Sequence, residues 1–144
     1  MPRVQLDLPD SFPFSTEITV YYEHINLGKH LDNARLIGLI AEVRNRWLLS
    51  LGYPENAIEG LITTVADLVW IYRNEGHHRD VLTFEAAAVD FNKYGFDLVY
   101  RVSRKADGKE IGRGKNGIVF VEPVSRKVST IPAEFLRRLG GPTT

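Results

Sequence analysis

The 144 residues contain no cysteine. That absence excludes a thiol nucleophile, a zinc–thiolate centre and a disulfide framework, so any catalysis must use oxygen and nitrogen groups. Neither sign of charge is in excess, since 18 Lys and Arg meet 18 Asp and Glu. With no global field and no basic block interleaved with aromatics, nucleic acid is not an expected partner. No apolar run reaches the length of a membrane span, and no membrane partner is expected. The opening "MPRVQLDLPDSFPF" puts Asp and Pro where a signal peptide needs an uninterrupted apolar stretch, so a cytoplasmic, soluble protein is expected. Internal repeats and low-complexity tracts are also missing, apart from "GGPTT", which reads as a disordered tail. "GRGKNG" lacks the helix that should follow a phosphate-binding loop. "EGHHRD" (75 to 80) pairs two histidines without a third ligand at a sensible spacing, so no metal is expected.

What is present fits a single domain spanning 1–144, long enough to bury a helix against a sheet. Residues 14 to 25, "FSTEITVYYEHI", alternate Ile18, Val20 and Tyr22 with Glu17, Thr19 and Tyr21, the period of a half-buried strand. From Asn33 to Leu51 the period becomes helical and stops at Gly52, with Pro54 beyond. Leu36, Ile37, Ile40, Val43, Trp47, Leu48 and Leu51 form a face too broad for a helix lying on a surface, so the helix should be wrapped. Four stretches, 61 to 72, 81 to 91, 96 to 104 and 110 to 122, supply strands to wrap it. "NKYG" and "KADGKE" join the last three as antiparallel hairpins. A terminal helix, capped by Thr130 and started by Pro132, closes the chain. The predicted class is α+β, a curved antiparallel sheet around one long central helix.

Between the first strand and the helix lies "YEHINLGKHLDNA", a polar turn holding Asn26, Gly28, Lys29, His30, Asp32 and Asn33. Gly28 is expected to supply an unusual backbone conformation, and Asp32 or Asn33 to cap the helix. Three carboxylates compete for attention. Asp32 reads as a cap. Glu42 falls on the helix face opposite the apolar stripe. Asp67 interrupts "VADLVWI" on the side of Val65, Val69 and Ile71, where it should not sit unpaired. Arg44, inside the apolar stripe, is its expected ion-pair partner and would tie helix to sheet.

The order of elements, the "NLGKHLDN" turn, the "EVR" in mid-helix and the "GIVFV" of the last strand resemble the hotdog-fold acyl-CoA thioesterases, in particular the 4-hydroxybenzoyl-CoA thioesterase branch. The resemblance covers residues 14 to 122, leaving 123–144 as a C-terminal extension. It implies hydrolysis of an acyl-CoA or acyl-carrier thioester, a homo-oligomer (dimer or tetramer), and no cofactor beyond the coenzyme A of the substrate. His30 falls on the family histidine, Lys29 on the preceding Gly, and Asn26 on the catalytic Asp. An amide cannot remove a proton or form an acyl anhydride, so Asn26 is expected to position water or hold the thioester carbonyl. The catalytic candidates are then Asn26, His30 and Asp67, the last as a base facing a neighbouring subunit's turn. Gly28, Lys29, Leu31, Asp32 and Asn33 are the expected substrate-binding residues. The amides from His30 to Asn33 are candidates for stabilising the oxyanion, and His30 for protonating the thiolate. Arg101, Arg104, Lys105, Arg113 and Lys115 either meet coenzyme A phosphates or cover solvated strand faces. Two alternatives stay open: a catalytically silent acyl-CoA-binding protein, and a hydratase or dehydratase, which needs a paired acid and base.

Overall fold

The computed structural model describes residues 3–140, so the expected tail lies outside the described residues from Gly141 onward. Among the described residues there are five strands: β1 (Phe14–Thr19), β2 (Ile62–Tyr72), β3 (Val81–Val89), β4 (Gly95–Arg104) and β5 (Glu110–Val121). With them are helices α1 (Asn33–Ser50) and α2 (Ala133–Arg138). The strands form one antiparallel sheet in the order β1-β3-β4-β5-β2. The predicted hairpins are there, and Gly108 in the second adopts φ +72, a conformation open to Gly with little strain.

α1 forms because Asp32 caps it, accepting hydrogen bonds from Ala34 N and Arg35 N, and because its interior has no Pro and one Gly. It ends at Leu51, followed by Gly52 at φ +90. Leu36, Leu39, Ile40, Val43, Trp47 and Leu48 are its buried residues, and they join Phe84, Phe96, Leu98, Tyr100 and Phe120 of the sheet in one core. Full burial of each such side chain contributes about 1.5–3 kcal/mol. Leu39 takes the buried place expected of Ile37, which is half-buried. The first strand is shorter than its pattern suggested. It ends at Thr19, Tyr22–His24 form a 3-10 turn, and Tyr22 is exposed. The terminal helix also differs from expectation, since its cap position is Pro132 and no side chain caps it. Phe135 holds it in place, fully buried, with ring centroids 5.1 Å from Phe120 and 5.6 Å from Phe96.

β2 carries the largest departure. A bulge leaves Ala66 without a cross-strand partner, so Val65 pairs with Ile118 while Asp67 pairs with Gly117. The extra residue reverses the strand's faces. Val65 looks to the same side as buried Ile118 and Phe96, and beyond the bulge that side belongs to Leu68 and Trp70. Asp67, Val69 and Ile71 therefore lie on the outer face, with Lys115 and Arg113. Asp67 is exposed there, its Oδ1 accepting Gly117 N at 2.8 Å. The expected ion pair with Arg44 does not form. Arg44 Nη1 donates instead to Asn116 Oδ1 at 3.0 Å, and the buried Tyr100 hydroxyl donates to the same oxygen at 2.8 Å. Burial pushes the Tyr100 hydroxyl pKa up to about 12, so it remains a donor. The N-terminal segment crosses the outer face, where Arg113 donates to Leu6 O and Arg101 stacks on Phe12.

Candidate active site

The polar turn is closed by backbone bonds: Asn26 N donates to His30 O, Lys29 N to Asn26 O, and Ile25 bridges to Leu31. Two further bonds dock it, Leu31 N to Gly76 O at 2.7 Å and Asp32 N to His24 O at 2.9 Å. The left-handed residue of the turn is Lys29, at φ 65, and not Gly28. What Gly28 provides is space. A Cβ on it would stand 3.2 Å from both Asn26 Oδ1 and His30 Nε2.

Asn26 is tied at both ends, its Oδ1 accepting Gly28 N at 2.9 Å and its Nδ2 reaching Asp32 Oδ1 at 3.5 Å. The Asp32 carboxyl is held below its usual value, first by the Arg35 N–H and then by the Asn26 amide and the Ala34 N–H. Asp32 is thus a working cap. Two of the four candidate oxyanion amides, those of Leu31 and Asp32, are already used. Among the described residues, the N–H groups of His30 and Asn33 have no partner.

The turn separates two clefts. One, of about 820 Å³, is lined by Tyr22, Asn26, Lys29, Asp32, Arg35 and His78. The other, of about 260 Å³, is lined by His30, Asn33, Tyr72, Arg73 and Glu75. Leu31 is buried at 4% exposure and forms part of the second wall. Tyr72 donates to Asn33 O at 3.1 Å, and burial together with the Asp32 charge raises its hydroxyl pKa. Glu75 escaped sequence reasoning. Its Oε2 stands 3.8 Å from His30 Nε2, a contact across 45 positions that no local motif announces.

Asp67 is not brought to this turn within the chain. It lies five residues along β2 from Tyr72, roughly 16 Å at the usual rise of a strand. Glu42 pairs with Arg46 on the exposed side of α1. The five basic residues near strand ends are committed to carboxylates: Arg101 to Glu85, Arg104 to Asp80 and Asp107, Lys105 to Glu17, Arg113 to Glu110, and Lys115 to Asp97. Among the described residues, no group of three metal-ligating side chains is clustered. No described helix is long and apolar enough to cross a membrane.

A helix wrapped by a curved antiparallel sheet, with a polar turn at the helix start, is the arrangement of the hotdog fold. The family model of the thioesterase-like superfamily matches residues 20–139, and the chain belongs to that superfamily. Among solved structures it is similar to Slr0204 of Synechocystis, a 1,4-dihydroxy-2-naphthoyl-CoA thioesterase (16% identity, 88% of this chain and 95% of that one, TM-score 0.80). It is also similar to SAV2348 of Staphylococcus aureus in complex with CoA (18%, 97% and 92%, 0.81). A third similar structure is the BH1999 gentisyl-coenzyme A thioesterase (12%, 88% and 99%, 0.78). The sequence matches no curated protein.

Proposed function

We propose that the protein is a cytoplasmic acyl thioesterase that hydrolyses an acyl-CoA or acyl-carrier thioester to acid and thiol at the 26–33 turn. The observation that carries this reading is the polar turn leading into α1, in which the N–H groups of His30 and Asn33 have no partner and Asn26 Oδ1 and His30 Nε2 pack on Gly28. A thioester carbonyl gains negative charge when water attacks it, and a free amide in the first turn of a helix, here that of Asn33, stabilises that charge. Asn26 keeps a spare Nδ2 hydrogen and a spare Oδ1 lone pair, so it can hold the carbonyl or orient the water. The larger cleft mixes Lys29 and Arg35 with Glu23 and Asp32, and the two cations offer donors to the phosphates of a coenzyme A-type ligand.

The edge of β2 supports assembly into a homo-oligomer. Val65 and Leu68 are 42% and 44% exposed on the inner side of an unpaired edge, and a second copy aligned there would cover both and extend the sheet. The test of function is a panel of short-chain, long-chain and aromatic acyl-CoAs with free thiol as the readout. Release from at least one is expected. Tight binding without release would favour a silent acyl-CoA-binding protein, a reading supported by the amide at position 26.

A further inference from the structure

We propose that His30 is the general base of this site and that Glu75, from the segment after β2, balances the charge it gains. The proposal rests on the hydrolytic reading above. His30 Nδ1 lies 3.0 Å from the carbonyl oxygen of Leu31. A carbonyl only accepts, so Nδ1 carries the hydrogen and Nε2 presents its lone pair. That lone pair has two neighbours. One is the cleft of about 260 Å³ that His30 and Glu75 both line, and the other is Glu75 Oε2 at 3.8 Å. A water in that cleft would find Nε2 as a basic acceptor.

Glu75 is held where it can do this. Gly76, next in sequence, accepts Leu31 N, and the Glu75 carbonyl accepts Arg104 Nη2. Arg104 is in turn fixed by Asp80 and Asp107. The other charged groups on this side are His77, whose Nε2 is 3.6 Å from Glu75 Oε1 and whose Nδ1 is 3.9 Å from Asp80, and Arg73, which pairs with Glu110. No other carboxylate of the described chain pairs with His30. The competing carboxylates are placed elsewhere, Asp32 on the helix cap and Asp67 on the outer sheet face.

The step balances with substrate and water alone. As the water oxygen bonds to the acyl carbon, its proton passes to His30 Nε2, and the imidazolium faces the Glu75 carboxylate. Collapse of the tetrahedral intermediate breaks the carbon–sulfur bond, and the proton moves from Nε2 to the departing sulfur. Acid and thiol leave, and His30 is neutral again. Glu75 touches neither substrate nor water and acts only through His30: the Leu31 carbonyl orients the neutral ring at Nδ1, and the Glu75 carboxylate meets the ring once it is charged.

The experiment compares the full-length parent with Glu75→Gln and Glu75→Asp. Glu75→Gln should lower kcat about three- to tenfold at constant KM. Glu75→Asp should restore part of the loss. The ring 15N signals of His30, identified by their loss in His30→Gln, should change in Glu75→Gln at fixed pH and return towards the parent in Glu75→Asp. That readout needs no substrate. If the parent releases thiol from no acyl-CoA while the ring signals still respond, the pairing stands and the hydrolytic reading falls. If thiol is released and Glu75→Gln alters neither kcat nor the ring signals, the proposal is overturned. Loss of turnover in Asp67→Asn with a parental Glu75→Gln would overturn it too, giving the base to a carboxylate across the subunit interface.

Discussion

The sequence resemblance puts Asn26 on the Asp of those thioesterases, and its surroundings suit an amide. A carboxylate there would lie beside Asp32 with no hydrogen to give it, whereas Asn26 Nδ2 reaches Asp32 Oδ1. Asn26→Ala should therefore lower kcat roughly ten- to a thousandfold, with binding of a non-hydrolysable acyl-CoA analogue little changed. Asn26→Asp should retain turnover only where the pH protonates one of the two facing carboxyls, which a pH–rate profile would show. The backbone of the same turn makes a separate prediction. Lys29 holds φ 65, a strained conformation for a residue with a Cβ, and its side chain is exposed. Lys29→Gly should stabilise the fold by about 0.5 kcal/mol, visible as a rise in Tm of a degree or two. Gly28→Ala should leave Tm close to the parent value and impair turnover, because its new methyl would crowd Asn26 Oδ1 and His30 Nε2 without straining the backbone. The sequence pointed to a strained glycine. The strain is one residue later, and a lone Gly in a polar turn does not reveal which neighbour takes the left-handed angle.

At the level of elements, α1 and the hairpins were legible because their signals are local. Asp32 precedes the helical period and caps it, so the Asp32 carboxyl is held below its unfolded value by the hydrogen bonds it accepts. A depressed folded value means this stabilisation is fully present above the unfolded pKa and is lost as pH falls through the folded one. The difference in Tm between the parent and Asp32→Ala should stay constant from pH 7 to about 5 and shrink below about 4. β2 was not legible in the same way. Period-two reading assumes an unbroken ladder, and the single unpaired Ala66 turns Asp67 from the helix side to the outer side. Arg44 was correctly singled out as a cation within the apolar stripe, but its partner is a neutral amide contributed by β5. Asn116, 3% exposed, serves Arg44 and Tyr100 with one oxygen. Asn116→Ala would strand two donors, and chemical denaturation should show a loss of about 2–3 kcal/mol. His30 was singled out by its motif, and its contact with Glu75 was not legible, because only the docking of the turn on Gly76 brings the two together.

For the whole molecule, the α+β class and the wrapped helix followed from the alternation of periods, while the sheet order did not. Nothing local says that β2 pairs with β5 and leaves β1 at the opposite edge. The open β2 edge leads to a test of assembly. Leu68→Glu should convert a homo-oligomer into monomers by light scattering, and turnover should fall with it if two chains build each site. The strand order also governs the sequence of events during synthesis. β2 leaves the ribosome directly after α1, yet its sole partner in the sheet is the last strand made, paired as far as Val121. At about 5–20 residues per second, β2 waits some seconds unpaired, and the apolar face of α1 waits with it. A nascent chain halted after β4 should be digested rapidly by protease and bound by chaperones, whereas one with β5 outside the exit tunnel should resist. The emergence of β5 thus closes the sheet over the helix, so the sheet is completed nearly all at once.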